Sequence, residues 1–314
     1  MKILVTGGAG FIGSGYIRYM LNKYPECEIV CLDALTYAGK RENLPDGYGE
    51  RLKFVKGNIC SKGTVNRVVE EHRPDAIVNF AAHTHVDRSI RRADPFIRSN
   101  VLGTQVLLDA ALKHGGIRFH QISTDEVYGS LPLKDSSAFT ESSPLSPSSP
   151  YSSSKASADL IALSYFRTYG LPVTVSRCSN NYGERQHAEK LIPTVIRKAL
   201  KNAPIPIYGR GENVRDWLHV DDHVRAIDMI LGGGRIGEIY NIGGDCELSN
   251  TEIANMLLVI MDKPTSLIRH VTDRPGHDLR YAIDHSKITR ELGWRPTVNI
   301  TEGLFETVKS MRTL

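Results

Sequence analysis

The sequence has few cysteines, no long apolar run and no block of basic residues. Its five cysteines include no CxxC pair, which favours reduced structural thiols over a disulfide framework. No stretch approaches the roughly 20 apolar residues of a membrane-spanning helix. The first residues, MKILVTGG, are typical of a strand and not of a signal peptide. These absences predict a cytoplasmic protein that does not enter a membrane.

The net charge and the distribution of basic residues narrow the range of possible partners. The formal net charge is +4, and lysine and arginine are dispersed, without a motif of the RNA-binding or zinc-binding type. We therefore predict no nucleic-acid partner and no metal site, whereas a slightly basic surface suits an anionic small substrate. A chain of 314 residues can form one large α/β domain, or a nucleotide-binding domain with a smaller partner.

Short β-branched runs alternate with amphipathic segments along the first half of the chain. This alternation predicts right-handed βαβ units and a parallel sheet. We therefore predict an α/β fold with a doubly wound parallel sheet of the Rossmann type. The six predicted strands are KILVTG, EIVCLD, LKFVKG, AIVNFAA, RFHQIST and PVTVSRC.

The alternation loosens after about Tyr182, which predicts a smaller mixed α/β lobe. We expect residues 1–181 to form the nucleotide-binding domain, with later segments returning to it, and residues 182–314 to form most of the substrate-binding lobe. The stretch at 131–150 is rich in serine and proline and could be a linker. We predict an ordered loop across the mouth of the sheet, because a helical pattern resumes directly after it.

A glycine-rich turn follows the first predicted strand. Gly7, Gly10 and Gly13 permit a tight turn and let the backbone approach a pyrophosphate at a helix N-terminus. Asp33 ends the second predicted strand, where a carboxylate accepts hydrogen bonds from the adenosine ribose and repels a 2′-phosphate. The pattern predicts NAD as the cofactor, although Asp33 could also be a simple turn aspartate.

Tyr151 and Lys155 form a Tyr-x-x-x-Lys pair at the start of a predicted helix. This spacing puts both side chains on one helical face, where the ammonium group favours the phenolate and lowers the tyrosine pKa. Such a tyrosine can take or return a hydroxyl proton while a nicotinamide takes hydride from the same carbon. Together with Thr124 upstream, the pair forms a consistent catalytic set.

Asp125 and Glu126 stand side by side after Thr124, within STDEVYG. Adjacent acids at a strand end are often only a solvated loop entry. Successive side chains of a regular strand face opposite ways, so both acids can address one substrate only if the strand ends or bends at Thr124. We predict that it does.

Distinctive segments are spread along the whole chain. They are TGGAGFIG, LDALTYAG, NFAAHTHVDRSI, STDEVYG, YSSSKASAD, SNNYG, EKLIP, NVRDWLHVDDH, YNIGG and RPGHDLRYAID. Together these segments resemble the extended short-chain dehydrogenase/reductase superfamily and, more narrowly, the dTDP-glucose 4,6-dehydratases. The matches extend from residue 3 to about residue 295. The later segments are more specific to the family than the glycine turn.

The resemblance implies a lyase that dehydrates a nucleotide sugar, dTDP-glucose being the leading substrate. In the chemistry of that family, NAD removes hydride from sugar C4 while Tyr151, aided by Thr124 and Lys155, accepts the C4 hydroxyl proton. The new ketone acidifies the C5 proton. Glu126 would be the base at C5 and Asp125 the acid that protonates the departing C6 hydroxyl. Return of the hydride to C6 gives a 4-keto-6-deoxy sugar nucleotide.

The resemblance also implies binding residues. Besides the glycines, Asp33, Tyr151 and Lys155, the positions matched to cofactor contacts are Phe11, Ile12, Asn58, Ile59, Ala81 and Asn100. Those matched to the sugar, the diphosphate and the base are Thr84, Asn181, Glu189, Lys190, Leu191, Tyr208, Arg215, Asn250, Arg274 and His277. Arginine suits phosphate oxygens because its donors form a fixed fork.

The chain departs from the family's pattern at three places. His83-Thr84 replaces the usual Glu-Ser, and Glu184-Arg185 follows SNNYG where Gly-Pro or Pro-aromatic is common. Asn58 stands where an aspartate usually contacts adenine. The first two changes concern the sugar or base more than the reaction. His83 is either a packed histidine or a proton carrier.

Other functions remain open at this point. The chain could dehydrate a UDP- or GDP-linked glucose or N-acetylglucosamine, while a 4-epimerase is disfavoured because it would not require Asp125 and Glu126. A silent NAD-binding regulator would be expected to have a broken catalytic set. The helices predicted near 101–114 and 151–169 have wide apolar faces, and in the superfamily the equivalent pair forms a four-helix homodimer interface.

Overall fold

The computed structural model describes residues 1–313. A seven-stranded sheet forms its centre, in the order β10-β6-β5-β4-β1-β2-β3, and all neighbouring strands are parallel. The strands of the described residues are β1 (Lys2–Thr6), β2 (Glu28–Asp33), β3 (Leu52–Lys56), β4 (Ala76–Asn79), β5 (Arg118–Thr124), β6 (Val173–Cys178), β7 (Asn180–Tyr182), β8 (Ile205–Tyr208), β9 (Val214–His219), β10 (Ile239–Ile242), β11 (Glu247–Ser249) and β12 (Ile268–Val271).

Helices cover both faces of this sheet. The helices of the described residues are α1 (Phe11–Lys23), α2 (Lys62–His72), α3 (Val86–Arg91), α4 (Asp94–Phe96), α5 (Gly103–Lys113), α6 (Pro150–Tyr169), α7 (Leu191–Leu200), α8 (Val220–Gly233), α9 (Asn250–Ile260), α10 (Ser286–Leu292) and α11 (Ile300–Thr313). Apolar residues of α2, α5 and α6 pack on one face, and those of α1 and α8 pack on the other. The Rossmann-type prediction is confirmed.

The sheet has one strand more than the sequence predicted. Strand β10 extends the edge beside β6, pairing Ile239 with Val175 and Ile242 with Cys178. The run has only four residues, and although α8 precedes it, it lies where the predicted βα alternation has already loosened. The chain thus returns to the central sheet after residue 182. The proposed division at that residue stays a prediction.

Two smaller sheets are formed by strands from the second half of the chain. One has the order β11-β9-β7 and includes both antiparallel and parallel pairs; the other pairs β12 with β8 in parallel. A separate apolar cluster forms among α7, α9 and α11, with Trp217 and Tyr182 in it. This mixed lobe lies next to the carboxyl ends of the central strands through β7, which follows β6 directly.

The Ser- and Pro-rich stretch after β5 is an ordered loop, as predicted. Leu131 N donates to Arg280 O and Phe139 N donates to Ala282 O, each at 2.9 Å. The Phe139 ring also stacks on Tyr128 with 5.0 Å between centroids. These contacts attach the loop to the second half of the chain.

Helix α6 begins immediately after this loop, and its capping fixes the position of Tyr151. Ser149 accepts a hydrogen bond from Ser152 N, and the Ser152 side chain accepts one from Ser149 N, which together form a capping box. Pro150 occupies the first helical turn, where its missing N–H costs nothing. The helix ends at Gly170, whose φ of 68° suits a left-handed cap.

Candidate active site

A cavity of about 590 Å³ opens at the carboxyl ends of the central strands. This edge is where parallel α/β sheets bind their ligands. The lining includes many residues that the sequence predicted, from both the cofactor and the catalytic sets. They are Gly7, Gly10, Phe11, Ile12, Gly13, Asp33, Asn58, Ile59, Ala81, Thr84, Thr124, Asp125, Glu126, Tyr151, Lys155, Asn181 and Lys190.

The glycine turn at one end of the cavity fits a dinucleotide. Gly7 has a φ of +67°, and a Cβ there would lie 2.6 Å from the backbone of Ala81. A Cβ on Gly13 would lie 2.5 Å from Gly7 O. Helix α1 starts here without a side-chain cap, so its first N–H groups are available to an anion. The close packing and the uncapped helix suit a pyrophosphate.

Asp33 is positioned at the end of β2 by backbone donors. Its Oδ2 accepts from Ala9 N at 2.9 Å and its Oδ1 from Leu35 N at 2.8 Å. Burial raises the pKa of Asp33, and these two hydrogen bonds oppose that effect. A carboxylate held in this way keeps lone pairs for the ribose hydroxyls of an NAD cofactor.

Strand β5 ends at Thr124, and the next residues form a single 3₁₀ turn over Asp125–Tyr128. The predicted end of the strand is therefore confirmed. Thr124 Oγ1 accepts from Glu126 N at 3.3 Å and donates to Asp125 Oδ1 at 3.2 Å. The turn abolishes the alternation of a strand, so both acids line one cavity.

The two carboxyl groups differ in their surroundings. Burial raises the pKa of Asp125 well above its usual value, and the negative charges of Glu126 and then Asp216 add to this. Burial also raises the pKa of Glu126, but Lys190, Arg274 and Arg215 act in the opposite direction. Asp125 is thus favoured as the protonated acid and Glu126 as the more readily ionised partner.

Tyr151 lines the cavity next to these acids and is 7% exposed. Burial, then the charge of Glu126, raise its pKa well above the ordinary value. The pKa of Tyr151 is therefore raised overall, and not lowered as the spacing predicted. The main reason is burial of the tyrosine itself; the Lys155 ammonium group donates to the backbone carbonyl of Ile122, and burial lowers its own pKa.

Asn100 lies behind the cavity wall, since it is buried and does not line the cavity. Its Nδ2 donates to His83 O at 3.0 Å and to Ser154 Oγ at 2.8 Å, while its Oδ1 accepts from His83 N at 2.8 Å. Asn100 thereby connects the loop after β4 to α6. Asn100 therefore contacts protein groups in this structure. These contacts help to position Thr84, next to His83, and the catalytic helix.

The remaining predicted substrate residues lie outside the cavity lining, in or beside the second lobe. They are Glu189, Leu191, Tyr208, Arg215, Asn250, Arg274 and His277. Arg215 Nη2 donates to Asp278 O at 3.0 Å, and its guanidinium lies 4.2 Å from the centre of the Tyr281 ring. Arg274 approaches Asp87 at 3.5 Å. Both arginines act on the pKa of Glu126, which places them on its side of the cavity.

Several of these side chains are held by neighbours. Glu189 pairs with Arg88 at 2.9 Å, and Leu191 begins α7 just after it. Tyr208 Oη donates to Asp87 Oδ2 at 2.9 Å. His277 Nδ1 lies 2.6 Å from Asp273 Oδ1. Asn250 opens α9, and its N–H donates to Asn213 O at 3.1 Å.

Sequence reasoning missed an aromatic group at the mouth of the cavity. The Tyr37 ring stacks on His83 at 5.6 Å, contacts His187 edge-on at 5.7 Å and lies under the guanidinium of Arg88 at 4.2 Å. Tyr37 Oη accepts from Thr84 N at 3.2 Å. The aromatic residue in LDALTYAG was the available signal, but only the fold brings it to Thr84.

The structure shows where the residues that depart from the family's pattern lie. His83 lines the cavity, and burial lowers its pKa, followed by the charge of Arg88. Glu184 and Arg185 pair with each other at 2.9 Å. In residues 1–313 no cluster of three or more His, Cys, Asp or Glu side chains could hold a metal ion. No helix in the same range has the length and apolarity needed to cross a membrane.

Comparison with known proteins gives consistent matches. A family model described as GDP-mannose 4,6 dehydratase matches residues 4–307. A dTDP-glucose 4,6-dehydratase of Actinoplanes sp. is 49% identical over 314 residues, which are 98% of this chain and 97% of the relative. The similarity therefore extends over nearly the whole length of both proteins.

Solved structures are similar as well. The dTDP-glucose 4,6-dehydratase DesIV of Streptomyces venezuelae, crystallised with NAD and the ligand TYD, superimposes with a TM-score of 0.96 at 52% identity, covering 100% of this chain and 97% of that one. UDP-glucose 4-epimerase of Thermotoga maritima has a TM-score of 0.92 at 31% identity, covering 100% and 99%. The fold is thus shared by both enzyme classes, whereas the higher sequence identity is with the dehydratase.

Proposed function

Because the chain belongs to the GDP-mannose 4,6-dehydratase family, within the short-chain dehydrogenase/reductase superfamily, and its similar relatives are dTDP-glucose 4,6-dehydratases, we infer that it is an NAD-dependent dTDP-glucose 4,6-dehydratase. The enzyme is a hydro-lyase that converts dTDP-glucose to dTDP-4-keto-6-deoxyglucose. The observation that carries this inference is the turn after β5, which brings two adjacent acids to the same cavity as Tyr151.

Bound NAD supplies a hydride acceptor for C4 and later the donor for C6. The chain's own residues move the protons. Tyr151 takes the C4 hydroxyl proton, and Thr124, which ends β5 beside it, orients that hydroxyl. Burial and then the charge of Glu126 raise the pKa of Tyr151, so the phenolate that accepts this proton needs a nearby positive charge, which we assign to Lys155 on the same helix.

Asp125 and Glu126 carry the elimination. The C4 ketone acidifies the C5 proton, which Glu126 removes, and Asp125 donates a proton to the departing C6 hydroxyl so that it leaves as water. The unequal surroundings support this assignment: after burial, the charges of two carboxylates have the largest effects on the pKa of Asp125, whereas those of three cations have the largest effects on the pKa of Glu126. Environments that push the pKa values of two carboxyl groups apart are the usual basis for separate acid and base roles.

The nucleotide part of the substrate extends toward the second lobe. We propose that Arg215 and Arg274 bind the diphosphate, and that Tyr208 and His277 lie beside the base. The buried Nε of Arg274 has no hydrogen-bond partner within residues 1–313, which supports a role in binding an anion. Lys190 reaches the cavity and donates to Thr84 O at 3.3 Å.

We propose that the enzyme is a homodimer joined by α5 and α6 of each subunit. The two helices pack side by side. Leu160 and Tyr169 on α6 are 56% and 57% exposed, and Leu102, at the start of α5, is 41% exposed. Large exposed apolar side chains on adjacent helices suit a symmetric four-helix contact. Sedimentation velocity tests this: a dimer is expected, and Leu160→Glu should shift it toward monomer.

A cytoplasmic location is also proposed. Three of the five cysteines are buried, namely Cys27, Cys31 and Cys178, and all five are free thiols. Burial raises the pKa of Cys31 and Cys178 to about 12, so these thiols resist ionisation. Unpaired cysteines of this kind fit a reducing compartment.

The function is tested by water loss from a panel of donors. Purified protein is incubated without added reductant with dTDP-glucose, UDP-glucose, UDP-N-acetylglucosamine and GDP-linked sugars, and the products are analysed by mass spectrometry. Loss of one water from dTDP-glucose is expected. Tyr151→Phe should abolish it, and the matched Tyr169→Phe should not. Loss only from another donor would reassign the substrate, and no loss from any donor would contradict the function.

A further inference from the structure

A buried ion pair lies one helical turn beyond Lys155. Asp159 follows Lys155 by four residues on α6, so the two side chains share a face of the helix. Asp159 is fully buried, and its Oδ2 accepts a hydrogen bond from Arg177 Nε at 2.9 Å. Arg177 lies on β6, and its guanidinium is 4.8 Å from the centre of the Tyr128 ring.

Burial disfavours the charged form of Lys155. The side chain is enclosed, and its hydrogen bond to Ile122 O orients the ammonium group without adding a countercharge. Burial lowers the pKa of Lys155, while the charges of Asp159 and then Cys178 raise it. Burial itself raises the pKa of the Cys178 thiol to about 12, so Cys178 stays neutral and Asp159 supplies the countercharge.

Arg177 keeps Asp159 in its charged form. Burial raises the pKa of Asp159, and Arg177, followed by Lys155, opposes that effect. The Ser123 side chain on β5 also lowers the pKa of Asp159, but the second carboxylate oxygen, Oδ1, has no closely placed hydrogen-bond donor among the described residues. A buried oxygen without a donor is unfavourable unless nearby cations stabilise it. Lys155 and Arg177 are the two cations that interact with this carboxylate.

We propose that Asp159, held by Arg177, is a positioning residue that keeps Lys155 protonated while Tyr151 exchanges its proton with the substrate. This proposal rests on the function inferred above, in which Lys155 assists Tyr151. It extends the Tyr151-x-x-x-Lys155 pair by one turn of the same helix and adds a partner from β6.

The proposal is tested with Asp159→Asn. If Asp159 holds the proton on Lys155, its loss favours neutral Lys155, so the alkaline limb of the kcat profile for dTDP-glucose moves to lower pH. We expect a fall in kcat of roughly 10- to 100-fold above about pH 8.5 and a much smaller fall near pH 6.5, with little change in KM. Asp159→Glu, which keeps the charge, should restore much of the alkaline rate.

Two further variants separate this role from a structural one. Asp159→Asn leaves Arg177 unpaired in the interior, which is costly, so Asp159→Asn with Arg177→Met removes both charges and protects folding. Its alkaline limb should lie between those of the wild type and Asp159→Asn, because repulsion between Arg177 and Lys155 is gone. A wild-type profile in this folded double variant would overturn the proposal.

A readout without substrate distinguishes this proposal from the function itself. The Lys155 ammonium group is titrated by NMR in nitrogen-labelled protein and assigned with Lys155→Met. A lower titration midpoint in Asp159→Asn than in the wild type supports the proposal whether or not dTDP-glucose is dehydrated. An unchanged midpoint overturns it, even in a protein that is a fully active dehydratase.

Discussion

Replacement of Asp125 by asparagine should separate proton removal at C5 from water loss at C6. Asp125 is 1% exposed, and its Oδ1 accepts from Thr124 Oγ1 at 3.2 Å. Asparagine has nearly the same shape and keeps that acceptor, so the fold should be retained. The amide has no acidic proton to donate to the C6 hydroxyl, whereas Glu126 remains available as the base at C5.

The loss should be large because one general acid is removed. Proton transfer by a positioned side chain contributes about 10²- to 10⁴-fold, so kcat for water loss should fall by about that factor with little change in KM. In heavy water, Asp125→Asn should still exchange the C5 proton, and recovered dTDP-glucose should gain one deuterium. Glu126→Gln should show neither exchange nor water loss.

Mass spectrometry of the sugar nucleotide measures both processes in one sample. Asp135→Asn is a suitable control, because this aspartate is exposed on the loop after β5 and its carboxylate accepts hydrogen bonds from the N–H and the hydroxyl of Ser137. Water loss at the wild-type rate in Asp125→Asn would refute the assignment of the acid. Exchange at C5 in Glu126→Gln would refute the assignment of the base.

Three further predictions concern the cofactor site and the stability of the fold. Gly13→Ala should weaken NAD binding at least about tenfold by calorimetry, because its Cβ would lie 2.5 Å from Gly7 O; unchanged affinity would contradict the assignment of the glycine turn. Trp294→Ala should lower the free energy of unfolding by about 3–5 kcal/mol, because Trp294 is fully buried and its Nε1 donates to Asp222 O; urea denaturation measures this, and a loss below about 1 kcal/mol would contradict tight packing. Hydrogen bonds, those from Val298 and Thr297 above all, outweigh the effect of burial and lower the pKa of Asp222. The ionised carboxylate therefore contributes to the free energy of unfolding at neutral pH, and this contribution is lost as the pH falls through the folded-state pKa. In Asp222→Asn the melting temperature should therefore fall less steeply than in the wild type as the pH is lowered. An equally steep fall would contradict this role of Asp222.

Local patterns predicted the parts of the site that lie within short segments. The glycine turn, Asp33 and the end of β5 at Thr124 each depend on a few consecutive residues, and the structure places all of them at one cavity. Strand β10 was missed because its identity comes from pairing with β6, which is distant in sequence.

The electrostatics of the site could not be predicted in the same way. The spacing of Tyr151 and Lys155 was correct for a shared helical face, but burial and the nearby Glu126 determine the pKa of the tyrosine. Likewise, Tyr37 reaches Thr84 only because the loops after β2 and β4 meet. Burial and contacts between distant segments are properties of the fold, and sequence spacing does not report them.

The most direct test of the account follows one hydrogen atom through the reaction. In the proposed mechanism, the hydride removed from C4 is returned to C6 of the same sugar. dTDP-glucose carrying deuterium at C4 is converted in ordinary water without added reductant, and the product is analysed by NMR and mass spectrometry. Deuterium retained at C6 is the predicted result. A product that has lost water but carries no deuterium at C6 would contradict the account.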